Sequence, residues 1–131
     1  MDMHNHEQCL NSCNLPHNHG NAAHMEFLQS EVDKIEDFST ITEIFKQLGD
    51  TTRVRIFWFL CHCEECVLDI AYVMKMSSPA VSHHLKILKS SGLIVSRREG
   101  KEVYYKAADT KISHHLHEMI EQMMKITCPQ E

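Results

Sequence analysis

The stretch SPAVSHHLKILKSSGLIVSRREGKEVYYKA, residues 78–107, decides the fold. Ser78 reads as an N-cap, with Pro79 at the first helical position, where its missing N–H costs nothing. On the helix that follows, Val81, Leu85 and Leu88 share one face. Pro79, Ser82, His83, Lys86 and Ser90 lie nearly opposite. Gly92 stops this helix. Leu93–Arg98 and Lys101–Ala107 are then two short β-type runs around a Glu99-Gly100 turn.

Working upstream, Met76-Ser77 reads as a tight turn after a short helix with Ile70, Ala71, Val73 and Met74 inward. Asp50 caps a helix whose segment Val54 and Ile56 to Leu60 is apolar almost all round, which marks it as central. Thr40 and Glu43 fit a capping box, so a helix is expected from Thr40, burying Ile41, Ile44, Phe45 and Leu48 and stopping at a left-handed Gly49. Phe27, Leu28, Val32 and Ile35 predict an amphipathic helix over Met25–Phe38. Downstream, Ile112, Leu116, Met119, Ile120 and Met123 form one stripe of a last helix over Thr110–Ile126. This order predicts a mainly α fold, a winged helix-turn-helix with a two-stranded β wing over residues 25–131. Residues 1–24, rich in His, Cys and Asn and poor in apolar side chains, read as a mobile tail.

The chain has 131 residues, a single-domain length, with 43% apolar residues to build a core. No apolar run reaches the roughly 18–20 residues of a membrane span. The N-terminus has no cationic, then apolar, secretory pattern, so a cytoplasmic protein is expected. There the six cysteines read as thiolate ligands or redox groups rather than disulfides. The 13 Lys+Arg against 18 Asp+Glu, a net charge of −5, argue against a nucleic-acid partner only until charge is read locally. Between Lys86 and Lys106, six cations meet only Glu99 and Glu102, a local charge of +4. Ser78, Pro79, Ser82, His83, Lys86 and Lys89 on the helix, with Arg97, Arg98 and Lys101 on the wing, are the candidate DNA contacts. The bland alternative is a solvated helix face. His84 lies nearer the apolar side and is expected to pack. No His-Glu-x₂-His, Gly-rich phosphate loop or nucleophile elbow is present, so an enzyme is not expected.

Two groups of metal-ligand residues stand out. Cys61-His62-Cys63-Glu64-Glu65-Cys66 holds three thiols in six residues, and the spacing of Cys63 and Cys66 lets two sulfurs grip one ion from a turn. Cys61 is the less certain ligand, since it also reads as an apolar-like cysteine at a helix end. On the last helix His114, His117, Glu118 and Glu121 share a face and offer a second metal site, against the favoured reading of a solvated polar face.

Several motifs in register resemble the ArsR/SmtB metal-sensing repressors, over about Ile35 to Ile126. They are Leu48-Gly49-Asp50-Thr51-Thr52-Arg53-Val54-Arg55-Ile56, Cys66-Val67-Leu68-Asp69-Ile70-Ala71, Ser82-His83-His84-Leu85-Lys86-Ile87-Leu88, Ser91-Gly92-Leu93-Ile94 and Arg97 through Tyr105. The resemblance implies a homodimer built through the first and last helices. It also implies two recognition helices on a palindromic operator, and a soft metal effector such as cadmium, lead or zinc that releases the DNA. Similar sensors carry Cys-Val-Cys-Asp where this chain has Cys66-Val67-Leu68-Asp69, so one thiol is displaced and Cys63 or Cys61 is left to supply it. Cys9 and Cys13 resemble the N-terminal pair that completes a tetrathiolate site in the cadmium/lead/zinc-sensing branch. The last-helix site of zinc-sensing relatives falls on Asp109, Lys111, Gln122 and Lys125, of which only Asp109 matches, so that inherited site is not expected. The alternatives are an arsenite- or thiol-redox-responsive repressor of the same fold, and a metal-buffering protein.

Overall fold

The computed structural model of the chain describes residues 20–127. Two compact units divide the chain, one up to Thr42 and one from Glu43 onward.

The first unit holds α1 (Ala22–Val32) and the start of α2 (Ile35–Gln47). The break falls earlier than the apolar spacing predicts: Asp33 closes α1, its N–H donating to the Gln29 carbonyl while the Lys34 N–H donates to that of Glu31. Glu36 and Asp37 then occupy the first turn of α2, where carboxylates suit the helix dipole. The capping box at Thr40 does not form. The Thr40 hydroxyl donates to the Glu36 carbonyl (3.1 Å) and Thr42 to Phe38 (2.8 Å), the back-bonding of threonines inside a helix.

In the second unit, Ile44 and Leu48 pack against the core. Gly49 is not left-handed; its N–H closes the turn onto the Lys46 carbonyl. Asp50 caps α3 (Thr51–His62) as expected, its side chain accepting from the Arg53 N–H at 3.0 Å. Ile56, Phe57 and Leu60 of α3 are buried at the centre of the core. Next come β1 (Glu65–Cys66), α4 (Val67–Met74), α5 (Ser78–Ser90), β2 (Ile94–Glu99), β3 (Glu102–Ala107) and α6 (Lys111–Thr127). Val73, expected inward, is 45% exposed, while Ile70, Ala71 and Met74 are buried.

The cap of α5 is Ser77, not Ser78. Pro79 occupies the second position and has no N–H, so the Ser77 hydroxyl takes the next donor, Ala80 N–H, at 3.3 Å. The wing turn is Gly100-Lys101, one residue later than predicted, with Glu99 paired to Glu102 and Gly100 at φ 60°. The two-stranded wing forms as expected, β2 with β3, and a third strand joins its sheet. The two-residue β1 pairs antiparallel with β3, Glu65 opposite Tyr105 and Cys66 opposite Tyr104, giving the order β1-β3-β2. On α6 only Leu116 and Ile120 of the predicted stripe meet the core; Ile112, Met119 and Met123 are 50%, 41% and 55% exposed. No helix among the described residues is long and apolar enough to cross a membrane.

Candidate nucleic-acid interface and metal ligands

The α5 helix is held by Val81, Leu85 and Leu88, all buried, against α3 and α4. Its opposite face presents Ser82, His83, Lys86 and Lys89 to solvent, with Pro79 exposed and Ser78 half-buried at its start. His84 packs as expected. Burial holds it below the ordinary imidazole value, and Arg53 and His83 push the same way against the pull of Asp50. Its Nδ1 lies 3.3 Å from Arg53 Nη1. A guanidinium only donates, so this contact makes Nδ1 the acceptor and leaves the proton on Nε2. Arg53 also donates through Nε to the Gln47 carbonyl at 2.6 Å, tying the end of α2 to α3 and α5.

The wing cations differ from one another. Arg97 donates to Glu64 (Nε–Oε1 2.8 Å) and Glu99 (Nη1–Oε2 2.7 Å), and its guanidinium lies 4.9 Å over the Tyr104 ring. Its charge is matched by two carboxylates. Arg98 donates through Nε to the Gly100 carbonyl at 3.3 Å, and Lys101 is exposed at the turn. Glu64 and Arg53 have roles here that the sequence did not reveal, because their partners lie 33 and 31 residues away.

Of the thiols, Cys9 and Cys13 lie outside the described residues. Cys63 ends α3, donating to the Phe59 carbonyl at 3.3 Å; burial raises its thiol, with Glu65 adding to the effect. Cys66 is buried at the start of α4, donating to Asp69 Oδ2 at 3.5 Å. Cys61 packs against the core, and burial, then Glu121, pushes its thiol up to about 11, so it is a thiol at neutral pH. Cys63 thus stands two residues before β1 and Cys66 is its last residue, the strand joining the first helix of the helix-turn-helix to the wing.

The last-helix stripe divides. His114 pairs with Asp109 at 2.7 Å, and Glu118 points to solvent. His117 and Glu121 instead meet His62, from the end of α3. Among the described residues this is the one set of three or more ligand-type side chains whose donor atoms converge within 4.8 Å. Sequence spacing found two of its members. His62, 55 residues before His117, carried no local signal beyond standing among cysteines.

A family profile described as bacterial regulatory protein, arsR family, matches residues 50–96, from the cap of α3 into β2. A transcriptional repressor SmtB homolog from Synechocystis is 37% identical over 98 residues, covering 75% of this chain and 74% of that protein. The chain belongs to the ArsR/SmtB family of transcriptional repressors. A cadmium resistance transcriptional regulatory protein CadC homolog from Staphylococcus aureus is 41% identical over 73 residues, 55% of this chain and 60% of that protein. The homodimeric winged helix-turn-helix DNA-binding domain of Mb0332 from Mycobacterium bovis, a possible ArsR-family regulator, superimposes with a TM-score of 0.64 at 28% identity, over 74% of this chain and 88% of that one.

Proposed function

We propose that this ArsR/SmtB repressor binds a palindromic operator as an apo homodimer in the cytoplasm, without enzymatic activity. A soft metal ion (cadmium, lead or zinc) releases it and derepresses metal resistance or efflux genes. DNA is contacted by Ser78, Pro79, Ser82, His83, Lys86 and Lys89, with Arg98 and Lys101 flanking and Arg97 held in reserve by its carboxylates. The metal ligands are Cys9, Cys13, Cys63 and Cys66. Thiolates suit soft ions, and the cadmium- and zinc-type names among the relatives support the same class.

The carrying observation is the position of Cys66. It starts α4 and pairs with Tyr104 of the wing, so a ligand bond there acts on both parts of the reading head. Drawing Cys63 and Cys66 toward one ion shifts the backbone that sets α5 against the wing. Coupling of this kind is typically about 1–3 kcal/mol, or about 5–150-fold in affinity, and it is reciprocal. The test is operator binding by the reduced protein at fixed salt, with and without cadmium, lead or zinc. Release of DNA by one of them is expected; unchanged affinity with all three overturns the reading.

A second reading keeps the fold and uses Cys61, Cys63 and Cys66 for arsenite or a redox change; their closeness in sequence favours it. The raised thiol of the half-buried Cys61 counts against it. Loss of response in Cys9→Ser and Cys13→Ser supports the tail-completed site, and full response supports the local thiols. Exposed apolar side chains on α6 (Ile112, Met119) and in the first unit (Val32, Ile35, Phe38) support the dimer contact.

A further inference from the structure

We infer that His62, His117 and Glu121 form a second metal site, for one zinc-class divalent ion per protomer, which staples the end of α3 to α6. It uses none of the thiols and goes beyond the proposed effector site.

His62 Nε2 and His117 Nε2 each lie 3.0 Å from Glu121 Oε1 and 3.2 Å from each other. Three donors so spaced form a nearly equilateral triangle. With ligand bonds of about 2.0–2.1 Å, a zinc ion fits about 1 Å outside the plane of that triangle, leaving a fourth position open. A tetrahedral site with such bonds wants donors about 3.4 Å apart, so the side chains need to spread by only a few tenths of an ångström.

The hydrogen bonding within the cluster is overcrowded. Three ring nitrogens crowd Glu121 Oε1: the two histidine Nε2 atoms and Trp58 Nε1, which donates to it at 3.2 Å. A carboxylate oxygen has two lone pairs, fewer than the three nitrogens set around it, and the two Nε2 atoms also face each other. An ion replaces the two imidazole protons with one cation, turns both Nε2 atoms into ligands, and leaves Trp58 to orient the carboxylate. A partner that fixes a ligand from outside in this way is the ordinary support of a metal site. The two rings already stand edge to face, with centroids 4.8 Å apart.

Access is open: the three side chains are 45%, 30% and 33% exposed. A cleft of about 340 Å³ adjoins His62 and His117 and is also lined by Cys61, Cys63, Asp109 and His114. Two imidazoles and a carboxylate suit zinc, cobalt or nickel rather than the softer cadmium or lead, so this site and the thiolate site sort different ions. His62 immediately precedes Cys63. An ion here therefore fixes the backbone from which the thiolate site hangs.

The test is cobalt(II) titration of the reduced full-length Cys9→Ser/Cys13→Ser/Cys63→Ser/Cys66→Ser protein. One equivalent per protomer is expected, with the visible bands of four-coordinate cobalt and no sulfur charge-transfer band. His62→Ala and His117→Ala, each added to that variant, are expected to lose the equivalent, and His114→Ala to keep it. Should the quadruple variant not fold, the same loss of one equivalent is read between wild type and His117→Ala. Binding that survives both His62→Ala and His117→Ala, or no cobalt held by the parent, overturns the site. Failure of the thiolate reading would show separately, as no sulfur charge-transfer band in wild type with cadmium.

Discussion

Lys86 and Arg97 carry the same charge and both belong to the proposed reading head, yet their surroundings differ. Lys86 is exposed on the outer face of α5, with no ion pair among the described residues, whereas Arg97 is shared between Glu64 and Glu99. A cation that must first leave two carboxylates gains less from a phosphate than one that leaves only water. Lys86→Ala is therefore expected to weaken operator binding and to lower the slope of log affinity against log salt by about 1. Arg97→Ala is expected to change that slope by less. Affinity measured across a salt series decides it, and equal slopes for the two variants would count against the distinction. Asp50 is a residue-scale feature that the sequence displayed in full, because an N-cap is local chemistry. The Arg53 N–H holds its carboxyl below the usual range. A carboxyl depressed in the folded state contributes stability that is complete above its unfolded value, near 4, and fades as pH falls through the lower folded value. Asp50→Ala is expected to cost about 1 kcal/mol at pH 7. The gap from wild type should shrink as pH falls below about 4, read by denaturant melts; a gap independent of pH would contradict the cap.

Among the elements, the sequence was most legible where signals are short-range and least where an element is defined by a distant partner. The apolar face of α5 and the stop at Gly92 were visible because each depends on neighbours a few residues away. The strand β1 was not, because two residues have no periodicity and become a strand only by pairing with Tyr104 and Tyr105. The start of α2 was misread since a threonine followed three residues later by a glutamate caps a helix only if the chain has not already become helical; Glu36 and Asp37 had begun it. The His62 cluster was half visible for the same reason: α6 supplies a spacing of four, and α3 supplies a ligand by contact. One element end departs from its preferred residue. Lys75 closes α4 at φ 57°, ψ 46°, where a side chain is strained and glycine is not. Relief of the roughly 1–2 kcal/mol cost of the left-handed region is partly offset by the greater freedom of glycine in the unfolded chain. Lys75→Gly is expected to raise unfolding stability by up to about 1 kcal/mol, seen as a higher melting temperature. A lower one would show that the lysine side chain contributes more than its backbone costs.

At the scale of the whole molecule, the apolar stripe of α6 explains why a pattern can be read correctly and assigned to the wrong surface. Leu116 and Ile120 enter the core of their own chain, but Ile112 and Met119 lie about half in water, as does Phe38 in the first unit, where Ile35 is more exposed still. Periodicity marks such residues as ones to be covered and does not say by what. A second copy of the chain is the cover that the proposed operator geometry requires. A palindrome read by two recognition helices needs them about 34 Å apart on one face of the duplex, and a lone α5 holds only one half-site. Placing a carboxylate in that stripe should then separate assembly from folding. Met119→Glu, with Ile112→Glu as an independent check, is expected to shift the protein from dimer to monomer in sedimentation equilibrium. Operator affinity should fall at least tenfold, because the second half-site no longer arrives with the first. Since 41% of Met119 already faces solvent, the helical circular dichroism should remain. Stability should lose its dependence on protein concentration, which a dimer has and a monomer lacks. A Met119→Glu protein that stays dimeric would place the subunit contact on a different surface of α6 or off that helix.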